Sequence, residues 1–460
     1  MRNENKFLNA FHKHPHQTKF FTDRPFYSRR GFFQMAGAGI TGMFLAGRPA
    51  MAGEVVKRGG AETLNKARNV IMIMLSGAPS HTDTFDYKES TQSPAGLMKA
   101  ESINGVDFPT GIMPKLATQL GDLAIVRSVR PWALQHDLGQ KWVQIGRSPA
   151  GVLGDVAPNI GTIVAIEKEP ERRAGQVFPT FVALNSAGAT GSGFLSNEYA
   201  PFKIDAGAGV PDTTNPDGQP RFNQKFDLMM EIDKPLRTAN PYAQTMQDYD
   251  SFYQNGKDLV FNNAVNTAFR PTQDEVVRYG NNSFGTACAT AAKLLAAGGG
   301  TRYVQITLGG WDMHQNIYTA LPTNARTLDN GVSAMIADLK QSGLFNETLI
   351  VMMGEFGRTT GRLNSTAGRD HFSQQFCVFA GAGVKGGRAI GVTNGTGSET
   401  TDPGWSRQRN VRAEDIEATI YSAIGIDWGT VRYDDPLQRG FYYVPEARED
   451  AYVPIKELWA

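Results

Sequence analysis

The sequence predicts an α/β fold built around a mostly parallel sheet. Short runs of consecutive apolar residues recur along the chain, and Gly or polar turn residues bound each run. Most of these runs do not alternate apolar with polar positions, which indicates strands that helices cover on both faces. Helical patterns lie between the runs, and a helix that leads into a buried strand is typical of α/β folds.

The predicted elements follow in chain order. The strands are expected at residues 69–75, 123–127, 181–184, 303–308, 348–353 and 376–379. One apolar face before the fifth strand predicts a helix, and its residues are Leu321, Leu328, Val332, Met335 and Leu339. Gly343 is placed to end this helix. A further helix is predicted at 416–424, beginning near Asp415.

Residues 53–460 are expected to form one large domain with an insertion, and two domains are the alternative. The stretch 197–280 is rich in Asn, Asp, Pro and Gln and has weak periodicity. Long segments of this kind often act as lids over a site. We therefore predict a cap there, and a surface insertion rich in loops is the other interpretation.

The first 52 residues have the features of an export signal. Residues 28–33 are Ser-Arg-Arg-Gly-Phe-Phe, a weakly hydrophobic run follows at 35–47, and a small-x-small cleavage sequence ends the segment. The paired arginines resemble the twin-arginine signal of bacteria, so we expect a periplasmic or otherwise exported protein that uses the twin-arginine translocation machinery. An N-terminal amphipathic helix is the alternative. The dinucleotide pattern G-x-G-x-x-G at 37–42 has no strand before it and predicts no nucleotide site.

Charge and composition exclude several classes of protein. The leader carries eight Lys or Arg and two Asp or Glu, a net of +6, so the rest of the chain has a charge of 1 − 6 = −5. This balance is not that of a nucleic-acid-binding protein. After the leader, no run approaches the 18 apolar residues of a membrane span. Cys288 and Cys377 make no disulfide framework and no Cys-rich zinc site, and they are either buried thiols or one bridge.

The histidines after the leader carry the strongest functional signal. There are four, and each lies within two residues of an aspartate, in His81-Thr-Asp83, His136-Asp137, Asp312-Met-His314 and Asp370-His371. Imidazole and carboxylate are the usual N and O ligands of zinc, manganese and iron. These motifs lie near the ends of predicted strands, where open α/β sheets bind ligands. We therefore predict a metal centre, although a single His of this kind is often a structural residue and Asp often caps a turn.

Four longer motifs resemble one bacterial family, called domain of unknown function 1501. They span residues 75–86, 310–316, 354–371 and 386–391, and the resemblance covers about 69–427. Through this family the chain is similar to the alkaline phosphatase and sulfatase superfamily. The resemblance implies a three-layer αβα sandwich, alkaline-phosphatase-like, with two metal ions at the carboxyl edge of the sheet.

The resemblance also implies which residues bind the metal ions. The implied ligands of the first ion are Asp312, His314 and His371. For the second ion, His81 or Asp83 takes the place of an acid after the first strand, and Glu355 takes the place of a later Asp. Phe356 stands where the superfamily has a His ligand, so the second site is altered or absent. The expected cofactor is one or two divalent metal ions, with zinc first and manganese, iron or calcium as alternatives.

The superfamily's nucleophile has no clear counterpart. Ser128 comes too early in its loop, and the sulfatase pattern Cys-x-Pro-x-Arg is absent. Either a metal-bound water attacks, or His136 acts as general base or nucleophile. Arg358 and Arg369 lie beside the implied ligands and are expected to hold an anionic ester oxygen or to pair with nearby carboxylates.

These observations predict an exported metal-dependent hydrolase of phosphate or sulfate esters. Its substrate would be a small or polymeric anionic ester. One alternative is a non-catalytic exported protein that keeps the fold and one structural metal ion. Another is a metal-dependent hydrolase that acts on a glycan or an amide.

Overall fold

The computed structural model describes residues 55–56, 61–210, 213, 217–239, 244–445 and 451–460. The predicted signal peptide at 1–52 lies outside the described residues.

An eight-stranded sheet forms the centre of the described structure. Its strands are β1 (Asn69–Leu75), β2 (Leu123–Val129), β3 (Phe181–Leu184), β4 (Phe202–Ile204), β5 (Tyr303–Leu308), β6 (Thr348–Met353), β7 (Gln375–Ala380) and β8 (Arg388–Ile390). Their order across the sheet is β8-β2-β7-β6-β1-β5-β3-β4. Within this sheet β7 alone is antiparallel to its neighbours. The amino end of β7 therefore lies at the edge where the other strands have their carboxyl ends.

Helices cover both faces of this sheet. They are α1 (Ala95–Met98), α2 (Pro114–Thr118), α3 (His136–Ile145), α4 (Ile160–Lys168), α5 (Gly218–Ile232), α6 (Lys234–Ala239), α7 (Gln244–Leu259), α8 (Asn263–Phe269), α9 (Gln273–Arg278), α10 (Ser283–Ala297), α11 (Ile317–Gln341) and α12 (Ala413–Ala423). Successive side chains of a strand point to opposite faces. Thus Ile71 and Ile73 belong to one core with α10 and α11, whereas Val70 and Met72 belong to a second core with α3, α4 and α12. This confirms the predicted three-layer αβα sandwich with a mostly parallel sheet.

Four smaller sheets of two or three strands accompany the central one in the described residues. Their strands are Val55–Val56 with Val431–Arg432 and Phe441–Tyr442, Ala100–Ile103 with Val106–Pro109, Gly357–Arg358 with His371–Phe372, and Val392–Thr393 with Thr400–Asp402. The third of these sheets lies at the candidate site described below.

The segment 197–280 differs from the expectation of a segment rich in loops. Its described part consists largely of helices α5 to α9. Aromatic side chains join these helices, since the rings of Phe222 and Phe226 lie 6.3 Å apart and Phe222 also meets Phe261 edge-on at 5.8 Å. Its role as a cap stays a prediction.

The two cysteines lie on opposite sides of the sheet. Cys288 lies on α10 in one core, and Cys377 lies on β7 in the second core. Both are free and fully buried, and burial raises the pKa of both thiols. The alternative of a single bridge is therefore excluded. No helix in the described part of the chain is long and apolar enough to cross a membrane.

Candidate metal centre

One edge of the sheet brings together side chains from three distant parts of the chain. Asp312 and His314 follow the carboxyl end of β5, and His136 begins α3 after the loop that follows β2. His371 precedes β7, and the antiparallel direction of that strand places it at the same edge. Carboxyl edges of open α/β sheets are where such folds bind their ligands.

Gly77 shows how closely the loops approach each other at this edge. Its φ is +105°, and a Cβ at this position would lie 2.5 Å from the backbone nitrogen of Asp312. A larger residue therefore cannot stand here without moving the loop. The Gly77 amide donates to Glu355 Oε1 at 2.9 Å, and its carbonyl accepts from Arg358 Nη2 at 2.6 Å. The backbone of the β1 loop is thus hydrogen-bonded to the segment after β6 and packs closely against the loop after β5.

His136, Asp312, His314 and His371 form a cluster whose ligand atoms all lie within 4.8 Å of one another. His314 Nε2 is 3.1 Å from His371 Nε2 and 3.1 Å from Asp312 Oδ1. His136 Nε2 is 3.3 Å from the same Asp312 oxygen. Zinc binds nitrogen and oxygen at about 2.0–2.2 Å in tetrahedral geometry, which places its ligand atoms about 3.3–3.6 Å apart. The separations of these side-chain atoms approach that value.

Each of the three imidazoles is oriented by an acceptor at its other nitrogen. His136 Nδ1 lies 2.6 Å from Glu355 Oε1, His314 Nδ1 lies 2.8 Å from Asp370 Oδ1, and His371 Nδ1 lies 2.7 Å from the Leu134 carbonyl oxygen. A carboxylate and a carbonyl only accept hydrogen bonds, so each ring donates from Nδ1. The three Nε2 atoms therefore present lone pairs to the cluster, as metal-ligating histidines do.

The electrostatics of the cluster favour a cation. The Nε2 atoms of His314 and His371 lie 3.1 Å apart beside the Asp312 carboxylate, and Arg358 Nη1 donates to His314 Nε2. Burial lowers the pKa of His371, which favours the neutral form of the ring that can bind a metal ion. Burial opposes ionisation of Asp312, but the hydrogen bond and charge of Arg358 outweigh it and lower the pKa of this carboxyl. Neutral imidazoles with one carboxylate fit a divalent ion such as zinc.

Arg358 is fastened to the loops of the site. Its Nε donates to Ala78 O, its Nη1 donates to His314 Nε2 and Arg369 O, and its Nη2 donates to Gly77 O and Asp312 Oδ1. Four of its five N–H groups therefore bind carbonyl oxygens and Asp312, and the fifth binds the lone pair of His314 that a metal ion would take. Arg358 thus neutralises Asp312 and joins the loops, and its role toward an ester oxygen stays a prediction.

Arg369 and Asp83 form a buried ion pair with each other. Arg369 Nε donates to Asp83 Oδ2 at 2.6 Å, and the side chains are 1% and 0% exposed. Ser80 and Tyr318 hydroxyls donate to the same carboxylate at 2.5 and 2.9 Å, and Arg369 Nη1 donates to the Thr359 and Gly361 carbonyls. The structure therefore corrects the expectations that Asp83 binds a metal ion and that Arg369 holds an ester oxygen, because the two side chains are directed at each other.

His81 and Glu355 also lie outside the cluster. His81 is completely buried, and its Nε2 lies 2.8 Å from the Gly397 carbonyl oxygen. Glu355 Oε1 contacts Nδ1 of His136, on the side of the ring opposite the cluster, and Gln140 Nε2 donates to the same Glu355 oxygen at 3.1 Å. We therefore correct their assignment as direct ligands. Among the described residues, no other group of three or more such side chains converges in this way.

Sequence reasoning did not identify which groups orient the histidines. Asp370 is the sequence neighbour of His371 but binds His314 Nδ1, and the Leu134 partner is a backbone carbonyl without a sequence signal. Gln140 lies one helical turn after His136, a spacing that could have indicated a shared face of α3.

The profile of the family described as "Protein of unknown function (DUF1501)" matches residues 67–441. The chain belongs to this family, as its motifs predict. A search of curated proteins gave no match.

Several solved structures are similar to this chain at low sequence identity. The PsFucS1 sulfatase from Pseudoalteromonas sp. is 13% identical, with 78% of this chain and 68% of that chain covered and a TM-score of 0.36. A protein in the alkaline phosphatase superfamily from Vibrio parahaemolyticus is 10% identical, with coverage of 86% and 78% and a TM-score of 0.35. The alkaline phosphatase from the Antarctic bacterium TAB5 is 13% identical, with coverage of 70% and 92% and a TM-score of 0.32.

Proposed function

We propose that this protein is an exported metal-dependent hydrolase of phosphate or sulfate esters. The observation that carries the proposal is that three oriented Nε2 atoms and one carboxylate oxygen lie within 4.8 Å of one another. Asp312, His314 and His371 are the proposed ligands of one divalent ion, and His136 is the proposed general base. Three protein ligands with an open position are the usual arrangement of a catalytic zinc.

A bound divalent ion would supply Lewis-acid chemistry by polarising an ester oxygen and lowering the pKa of a water. The protein supplies the proton transfer. His136 Nε2 carries a lone pair at the cluster, so it can accept a proton from a water molecule in the site. Glu355 Oε1 holds Nδ1–H of the same ring at 2.6 Å and stabilises the imidazolium that results. Gly77 and Gln140 donate to that oxygen and fix its position.

The site is open to solvent on the side of Asp312. The side chain of Asp312 is 50% exposed, that of His314 is 40% exposed and that of His136 is 25% exposed. A substrate can therefore reach the cluster without any movement of the described residues. Export through the twin-arginine pathway remains part of the proposal and is supported by the sequence of residues 1–52.

A panel of chromogenic esters tests the proposal. The zinc-loaded protein is assayed with p-nitrophenyl phosphate, bis-p-nitrophenyl phosphate, p-nitrophenyl sulfate and p-nitrophenyl acetate. We expect turnover of an anionic ester, and kcat lower by about 10²–10⁴-fold in His136→Gln because the general base is lost. The matched control is Arg173→Gln, an exposed arginine near Arg302, which precedes β5 at the opposite edge of the sheet. Hydrolysis of p-nitrophenyl acetate alone, or an unaffected His136→Gln variant, would contradict the proposal.

A second candidate is a non-catalytic protein with one structural ion. It is favoured by the fact that His136 Nε2 also reaches the cluster, because four protein ligands close a tetrahedral site. Zinc affinity of His136→Gln separates the two candidates. If His136 is the base, the variant keeps its zinc and loses activity. If His136 is the fourth ligand, the variant loses zinc as readily as His371→Ala does.

A further inference from the structure

We infer that Trp132 and Arg412 form a binding site for an anionic saccharide beside the candidate metal centre. This inference rests on the proposed function, because it names the substrate class of the same site. Trp132 and Leu134 belong to the loop that joins β2 to α3, and that loop ends at His136. The Leu134 carbonyl holds His371 Nδ1 at 2.7 Å. The loop that carries Trp132 is therefore directly connected to two residues of the cluster.

Trp132 is exposed and yet held in place. The residue is 48% exposed, its indole Nε1–H donates to Glu414 Oε2 at 3.1 Å, and the Arg412 guanidinium carbon lies 3.8 Å from the ring centroid. Leu134 on the same loop is 44% exposed. Large apolar surface in solvent indicates a binding site when it is preorganised, because little side-chain entropy is lost on binding.

A second tryptophan helps to fix this arrangement. Trp142 Nε1–H donates to Glu414 Oε1 at 2.9 Å, so one buried carboxylate holds both indoles. The two ring centroids are 6.2 Å apart and the planes differ by 24°. Glu414 lies in the first turn of α12 and Trp142 lies on α3, so the orientation of Trp132 is set by two helices of the second core.

Arg412 differs from Arg358 and Arg369 in having unused donors. Its Nη1 donates to the Arg130 and Pro131 carbonyls at 2.9 and 3.2 Å. Nε and Nη2 have no hydrogen-bond partner among the described residues, and they are not among the buried unpaired atoms. Three N–H groups are therefore available to a sulfate, phosphate or carboxylate group, which a guanidinium binds in a bidentate manner.

An exposed indole and a guanidinium with unused donors together fit one chemical class of ligand. Arg412 covers one face of the Trp132 ring, so the C–H face of a sugar ring would cover the exposed part, and a charged substituent on that sugar would bind the unused N–H groups of Arg412. A neutral saccharide would not use these N–H groups, and a free inorganic anion would not use the exposed part of the indole. A nucleic acid is disfavoured because the chain after the predicted leader has a net charge of −5.

Isothermal titration calorimetry tests this inference with five probes. They are a heparin hexasaccharide, a galacturonic acid hexamer, maltohexaose, sodium sulfate and a single-stranded DNA hexamer. We expect one of the two anionic hexasaccharides to bind at least about tenfold more tightly than the other three probes, as a charge-assisted contact to Arg412 implies. Trp132→Ala and Arg412→Gln should each weaken that binding by about tenfold, and Trp132→Phe should weaken it less.

Arg173→Gln is the matched control. This exposed arginine lies near Arg302, which precedes β5 at the opposite edge of the sheet, so its loss should leave saccharide binding unchanged. The inference is overturned if neither anionic hexasaccharide binds, if maltohexaose, sulfate or DNA binds equally well, or if Trp132→Ala binds like the wild type. Chelator-treated protein is titrated in parallel. Saccharide binding that persists there without hydrolysis of any ester supports this site while the proposed function fails.

Discussion

Asp83→Asn tests whether Asp83 is the partner of a buried ion pair or a metal ligand. The carboxylate is fully buried and accepts hydrogen bonds from Arg369, Ser80 and Tyr318 at 2.5–2.9 Å. The substitution removes the counter-charge of Arg369, whose side chain is only 1% exposed. Breaking a buried pair in this way lowers the free energy of unfolding by about 3–5 kcal/mol.

Urea unfolding followed by circular dichroism measures this loss, and elemental analysis of the same sample measures the bound metal. We expect a loss of stability with unchanged metal content. The double variant Asp83→Leu with Arg369→Met removes both charges and should lose less stability than Asp83→Asn alone. If Asp83→Asn instead lost its metal at unchanged stability, Asp83 would be a ligand and the ion-pair assignment would be refuted.

Three further predictions concern single residues. Gly77→Ala should lower the free energy of unfolding by about 1–3 kcal/mol, because the backbone there has a positive φ and no room for a Cβ. Urea titration measures this loss. The control Gly96→Ala has open space around its Cβ and should lower the free energy of unfolding by less. Glu355→Ala should reduce activity by about 10–100-fold in ester assays, because His136 loses its orienting acceptor. Unchanged activity would argue against that role. Burial lowers the pKa of His81 below its ordinary 6.5, so on acidification this imidazole is protonated at a higher pH in the unfolded chain than in the folded chain. The free energy of unfolding should therefore fall as the pH decreases below 6.5. His81→Gln should flatten that dependence between pH 7 and pH 5 in urea titrations, and an unchanged slope would contradict the assignment.

The strands inside the sheet could be predicted from the sequence with accurate bounds. Strands β1, β3, β5 and β6 begin and end where the apolar runs do, because helices cover both faces and most positions are apolar. The short edge strand β4 lies at one end of the sheet and β8 at the other, and neither has such a run. The direction of β7 could not be predicted, because strand direction depends on the connections and not on residue pattern.

The residues of the candidate site could be predicted only in part. The motifs around Asp312, His314 and His371 identified side chains that the structure brings together. His81 and Asp83 have the same residue types at a similar strand end, but the loop directs them into the protein interior, where Gly397 and Arg369 hold them. Residue type and spacing do not reveal which side of a loop is buried.

Metal content tests the central claim most directly. The purified protein is loaded with zinc, dialysed and measured by elemental analysis beside Asp312→Ala, His371→Ala and the control Arg173→Gln. The cluster predicts one zinc per chain in the wild type and in the control, and a loss of zinc in both ligand variants. Wild-type protein that binds no zinc and no other divalent metal, or ligand variants that retain it fully, would contradict the claim that these residues form a metal centre.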